Sequence, residues 1–130
     1  PLWLAARFSE PLIMEVLLGV GADPLTVNNM SYPAQRLGEP YIAAEGAINL
    51  VMAAMGMGHA RLRISWGTPE RRAGQLQDRE SLALDSVMLA VQAGADINAT
   101  NAEGQTALAF AKQRRYASIV SFLEAAGATE

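Results

Sequence analysis

The tripeptide Gly-Ala-Asp stands at Gly21–Asp23 and again at Gly94–Asp96, and a shortened copy follows at Gly127-Ala128. The last two are 33 residues apart and the first two are 73, so a period of 33 is interrupted once by 40 additional residues. Two other landmarks recur in the same order. Ala44-Glu45-Gly46 matches Ala102-Glu103-Gly104, and Leu2-Trp3-Leu4-Ala5-Ala6 is echoed at Leu50–Ala54 and at Leu108–Lys112. A chain that repeats at such a period builds a stack of similar units, each burying the face its neighbour leaves open.

The landmarks divide the chain into three copies, 1–27, 28–100 and 101–130, which form one domain. The middle copy carries both insertions, one near 29–42 before its first helix and one near 57–80 between its two helices. Each copy reads as helix, turn, helix. In the third, Thr106 is an N-cap candidate for a helix over Ala107–Arg114. A second helix over Ala117–Ala126 sets Ile119, Val120, Phe122 and Leu123 on one face, and Gly127 suits a left-handed close. The first copy has Leu2–Phe8, then a helix from Pro11 through Val20, then Gly21. In the second, the helix Ser81–Ala93 offers Leu84, Val87, Leu89 and Val91 as its apolar face. Asn98, Asn101 and Gly104 make Asp96–Gly104 a β-hairpin finger between helix pairs.

Composition agrees. Half the chain is apolar (51%) but only 6% is aromatic, a balance for short, closely packed helices rather than a β-sandwich. A net charge of −3 argues against electrostatic binding of nucleic acid or an anionic membrane by the domain as a whole. With no cysteine, thiolate chemistry and disulfides are excluded, and the compartment stays open. No segment reads as a signal peptide, and the longest apolar stretch, Ala43–Met57, is too short to span a bilayer.

The residues also carry a family resemblance. Gly104-Gln105-Thr106-Ala107-Leu108, Ile119-Val120 with Leu123, and Gly127-Ala128 together resemble an ankyrin repeat. Pro1-Leu2-Trp3-Leu4-Ala5-Ala6 is similar to that family's Thr-Pro-Leu-His-x-Ala-Ala signature, and Gly94–Ala99 to its junction. The likeness covers about 90 of the 130 residues. Arg115 takes the usual glycine position, and Ile48-Asn49 stands for Thr-Pro. The resemblance implies an all-α repeat solenoid, a helix-turn-helix stack with β-hairpin fingers. It further implies a module that binds proteins through its finger tips and first-helix surface, with no active site or cofactor.

Searching the residues for other chemistry gives little. The sole histidine, His59, has no nucleophile elbow near it, and one histidine among scattered carboxylates offers no metal-ligand spacing. Gly56-Met57-Gly58 opens a dinucleotide-type pattern that Arg61 then breaks, so these glycines read as the end of a helix. The expected binding residues therefore lie on the concave face and in the insertions. They are Trp3, Arg7, Gln105, Gln113 and Arg114 from the repeats, Met30, Tyr32, Arg36 and Tyr41 from the first insertion, and Trp66 from the Arg-rich second. Tyr, Trp and Arg are the side chains enriched at binding hot spots. The expected partner is a protein or a neighbouring domain of the same chain, with a structural spacer as the alternative function. Leu2, Leu4, Ile13 and Leu17 are further expected to form an apolar face at the start of the stack.

Overall fold

Short helices account for most of the structure because the sequence punctuates itself so often. The computed structural model describes residues 1–29, 32–34, 42–44, 46–57 and 79–130, with Arg79 and the two strands described by their backbone alone. Among these residues the chain is mainly helical. The helices are α1 (Leu2–Arg7), α2 (Pro11–Gly19), α3 (Leu50–Ala54), α4 (Arg79–Gln92), α5 (Ala107–Arg114) and α6 (Ala117–Ala125). Strands β1 (Tyr32–Ala34) and β2 (Ile42–Ala44) pair antiparallel, Tyr32 opposite Ala44 and Ala34 opposite Ile42. Helix α1 packs on α2 and α3, α3 on α4, α2 on α4, α4 on α6, and α5 on α6.

Every one of the six helices ends in the same way. Gly21, Gly94 and Gly127 adopt φ of 89°, 95° and 88° after α2, α4 and α6. In each case two amides turn back onto the last helical turn, as in Gly94 N–H to Val91 O and Ala95 N–H to Ala90 O. That pair of bonds is the Schellman closure, which satisfies carbonyls the helix leaves open. After α1, α3 and α5 the left-handed residue is Ser9, Gly56 and Arg115, and the two bonds repeat. Gly56 thus closes a helix, as its position in the sequence suggests.

Helix starts are more varied. Thr106 Oγ1 accepts from Ala109 N–H at 3.2 Å, and Asn49 Oδ1 accepts from Met52 N–H at 3.1 Å. Asn49 alone, rather than the Ile48-Asn49 pair, therefore occupies the place of Thr106, and Val51 rather than Leu50 corresponds to Leu108 and Leu2. Helix α6 has no cap of its own; Glu80 of α4 supplies one, its Oε1 accepting from Ser118 N–H at 2.9 Å and Ser118 Oγ at 2.6 Å. The Ser118 hydroxyl, and then the Ser118 amide, hold the Glu80 carboxyl below the usual carboxylate range.

The core runs through all these helices and shows where the expected apolar faces need correcting. In α6 the fully buried residues are Ile119 and Leu123, with Val120 and Phe122 half-buried. In α4 they are Ala83, Ser86, Val87 and Ala90, whereas Leu84, Leu89 and Val91 are half-buried. Helix α4 is covered by α2, α3 and α6 together, and small side chains let three neighbours approach it closely. Ser86 is tolerated there because its Oγ donates to Leu82 O at 2.9 Å. Leu2, expected on an open face, is 3% exposed, and Leu17 is half-buried; Leu4 and Ile13 are open at 55% and 48%. Between the α4 and α5 helices, Asp96–Gly104 takes turns, tied by a single antiparallel bridge between Thr100 and Thr106.

Two substitutions test these readings. Asn49 also donates through Nδ2 to Asp96 O at 2.7 Å, so it serves two ends of the chain at once. Asn49→Ala lowers stability by about 1–2 kcal/mol, and Asn49→Ser, which keeps a cap but cannot span to Asp96, by roughly half as much. Equal losses for the two in urea titrations would show that only the cap matters. Arg115, with φ 60° and ψ 37°, pays a steric cost that glycine does not. Arg115→Gly therefore raises stability by about 0.5–1 kcal/mol, a gain of a few degrees in Tm, and a lowered midpoint would refute strain there.

Candidate functional site

The expected binding residues separate into a buried set, an exposed set and a set whose surroundings lie outside the described residues. Trp3 belongs to the first. Helix α1 turns it inward to 8% exposure, and its indole N–H donates to Ile48 O at 3.0 Å. Trp3 also lines an open hollow of about 510 Å³ with Thr26, Val27, Asn28 and Asn29. Those four residues were not singled out by composition or motif; they follow the Asp23 turn, in which Leu25 N–H donates to Asp23 Oδ1 at 2.9 Å. Asn98 N–H makes the same 2.9 Å bond to Asp96 Oδ1 one junction later. That recurrence of Asp within Gly-Ala-Asp is the signal that would have found them.

Arg7 is half-buried in the last turn of α1, its Nη1 beside the end of α3 at Gly56. Gln105, Gln113 and Arg114 are brought together around α5. Gln105 Nε2 donates to Gln113 Oε1 at 3.2 Å, and the Arg114 guanidinium lies 5.1 Å from the centre of the Phe110 ring. Gln113 and Arg114 are exposed, so this corner presents amide groups and a cation held over an aromatic ring. The stacking reduces the freedom of Arg114, which lowers the entropy a ligand must remove on binding. Tyr32 lies in β1, where only its backbone is described. Met30, Arg36, Tyr41 and Trp66 lie outside the described residues, as do His59 and most of the second insertion.

Beside this corner stands an ionic cluster. Lys112 Nζ reaches Glu130 Oε1 at 2.6 Å and Glu124 Oε1 at 3.2 Å. Hydrogen bonds to Glu130 and then Glu124 hold the Lys112 ammonium above its ordinary range, and the bond to Lys112 holds Glu130 below its own. All three side chains are well exposed, so the cluster fixes the end of the chain against α5 more than it stabilises the fold. Among the described residues no three His, Cys, Asp or Glu side chains gather as a metal-binding group, and no helix is long and apolar enough to cross a membrane.

The split between buried and exposed members gives a direct comparison. Trp3→Phe keeps most of the ring packing and removes the N–H, and it costs about 1 kcal/mol. Gln113→Ala changes stability by less than about 0.5 kcal/mol. If Trp3→Phe proves equally silent in thermal unfolding, the indole bond to Ile48 is not part of what holds α1 in place. Comparison with known proteins adds no further identification: no known family's profile matches the chain, and no curated protein matches it.

Proposed function

We propose that this chain is an ankyrin-type repeat module that binds a protein partner, with its fingers and first-helix surface as the binding face. The observation that carries the reading is the recurrence of one local design. The turns Gly21-Ala22-Asp23 and Gly94-Ala95-Asp96 share φ, closing bonds and an Asp-capped bend, and Gly127-Ala128 shares the φ and the closing bonds. Asn49 and Thr106 start their helices with the same side-chain bond. The contacts of α1 with α3, of α2 with α4 and of α4 with α6 support this reading, since a stack of helix pairs makes such contacts.

A stack of this kind supplies rigidity, and rigidity is what a binding surface needs from its scaffold. The side chains assigned to the surface are Gln105, Gln113 and Arg114, with Arg7 and Trp3 on α1. The β1–β2 pair lengthens the connection between the first and second units and contains Tyr32. Met30, Arg36 and Tyr41 in the same insertion, and Trp66 in the other, complete the set proposed from the sequence. The recognition chemistry is hydrogen bonding and cation–aromatic contact rather than bulk charge, in keeping with a net charge of only −3.

Affinity capture from an extract of the source cells, read by mass spectrometry, supplies the partner, and titration calorimetry then measures it. The triple variant Gln105→Ala, Gln113→Ala, Arg114→Ala weakens binding at least tenfold while the helical circular dichroism stays unchanged, since a hot-spot cluster of this size is worth more than about 1.4 kcal/mol. Affinity unchanged in the triple variant but lost when the two insertions are shortened would move the site to the insertions. Affinity unchanged in both overturns the assignment.

A further inference from the structure

We infer that Ser118 is a phosphorylation site for a protein kinase that reads basic residues, and that its phosphate displaces the Glu80 carboxylate from the start of α6. The inference does not depend on the binding face proposed above, because it concerns the joint between α4 and α6.

The chain has twelve serine and threonine hydroxyls, and Ser118 alone has a basic residue three positions before it. Arg115 stands there with Arg114 ahead of it, and both arginines and Ser118 are exposed. Kinases select substrates by such charge patterns, since carboxylates lining the substrate cleft pair with guanidinium groups at fixed distances from the hydroxyl. The pattern falls on the link between α5 and α6. Arg115 closes α5 in the left-handed conformation, Tyr116 is not helical, and Ser118 is the second residue of α6. Only the first turn of a short helix therefore has to open for the hydroxyl to reach a cleft. The Ser118 hydroxyl also differs from its neighbours in what it holds. Ser86 and Ser121 donate to carbonyls of their own helices, at Leu82 and Ala117, whereas Ser118 donates to a carboxylate 38 positions away on α4.

In the transfer, Ser118 Oγ attacks the γ-phosphorus of Mg-ATP and the bond from that phosphorus to the β–γ bridging oxygen breaks. ADP leaves with the electron pair, and the hydroxyl proton passes to the kinase's own carboxylate base. The O–H that Glu80 Oε1 accepts at 2.6 Å is then gone, and a group of about two negative charges stands in its place. Two anions cannot share that position, so the Glu80 side chain swings away. The start of α6 and the Arg115 guanidinium both favour the phosphate, so α6 exchanges one cap for another. Helix α4 receives nothing in return. Its buried residues Ala83, Val87 and Ala90 keep it in the core, and the loss falls on its first turn, where the second insertion ends. Phosphorylation thus loosens the joint between that insertion and the third unit while the fold persists.

The test treats the whole chain with Mg-ATP and the catalytic subunit of cAMP-dependent protein kinase, a basic-directed enzyme, and locates phosphate by mass spectrometry. One phosphate is expected, at Ser118, and none there in Ser118→Ala. Arg115→Gly, which keeps the left-handed turn, lowers kcat/KM by about tenfold. Glu80→Ala frees the hydroxyl and raises kcat/KM by about threefold, whereas Asn49→Ala, which weakens the fold far from this joint, leaves it unchanged. In the phosphorylated protein the Leu84 and Asp85 amides, which an α-helix bonds back to its first turn, exchange several-fold faster with Tm altered by only a few degrees. Glu80→Ala shows the same faster exchange without kinase, and phosphorylating it adds nothing. Absence of phosphate at Ser118 overturns the inference. So does an equal acceleration in Asn49→Ala, because the kinase then meets only the unfolded chain. Phosphate at Ser118 with unchanged exchange in α4 overturns the displacement of Glu80.

Discussion

Four consecutive residues, Gly46 to Asn49, tie together segments from the beginning, middle and later part of the sequence. The Ile48 carbonyl receives Asn28 N–H at 2.8 Å and the Trp3 indole at 3.0 Å, which fastens α1 and the segment after α2 to one point. The Ile48 amide returns a bond to Asn28 O at 3.0 Å. Asn49 then starts α3 with one side-chain atom and grips the turn after α4 with another. Gly46 makes the approach possible: a Cβ there would lie 2.5 Å from the backbone of Asn29, so no other residue fits without moving one of the two segments. Its carbonyl accepts from Ala102 N–H in the third unit at 3.4 Å. Buried polar groups must find partners, and here they come from Trp3, Asn28, Asp96 and Ala102, which are far apart in sequence, so satisfying these hydrogen bonds and bringing distant segments together are a single requirement.

The helices depend on those contacts because most of them are too short to stand alone. Apart from α4, which has 14 residues, they run from 5 to 9, below the length at which an isolated helix is stable in water. Their ends are satisfied locally by the Schellman turns and their beginnings partly by other units, as Glu80 does for α6. Unit-to-unit contacts therefore carry both the packing and part of the capping. Loss of one neighbour removes more than its share of buried area.

What the sequence made legible follows the same division between local and shared. The closing glycines and the Thr106 cap are decided by their own few residues, and the helix boundaries drawn from them agree with the structure to within one or two positions. The core of α4 was not legible. Leu84, Leu89 and Val91 outrank Ala83, Ser86 and Ala90 in hydrophobicity, yet the smaller set is buried because α4 lies among three helices and size, not apolarity, decides which face can be enclosed. Asn49 was likewise read as half of a substituted Thr-Pro pair, since its second role depends on Asp96, 47 residues away. Of the candidate surface, Gln113 and Arg114 sit outside as their polarity suggests. Trp3 sits mostly inside because the carbonyl that takes its N–H belongs to another unit.

The proposed function asks the helices to keep fixed distances while surface residues vary. The buried Ala and Ser positions of α4 set how closely its neighbours approach in the middle of the molecule. The Lys112–Glu124–Glu130 cluster and the Asn98 side chain, whose Oδ1 accepts from Thr129 N–H at 2.8 Å, tie down the segment after α6. On α1 and α2 the exposed residues include Leu4, Phe8, Leu12, Ile13 and Val16, and apolar surface of this kind costs free energy for as long as it faces water. The closing segment is thus positioned by side chains of α5, of α6 and of the turn after α4, and none of these ties reaches α1 or α2, so a substitution on α1 or α2 leaves them in place.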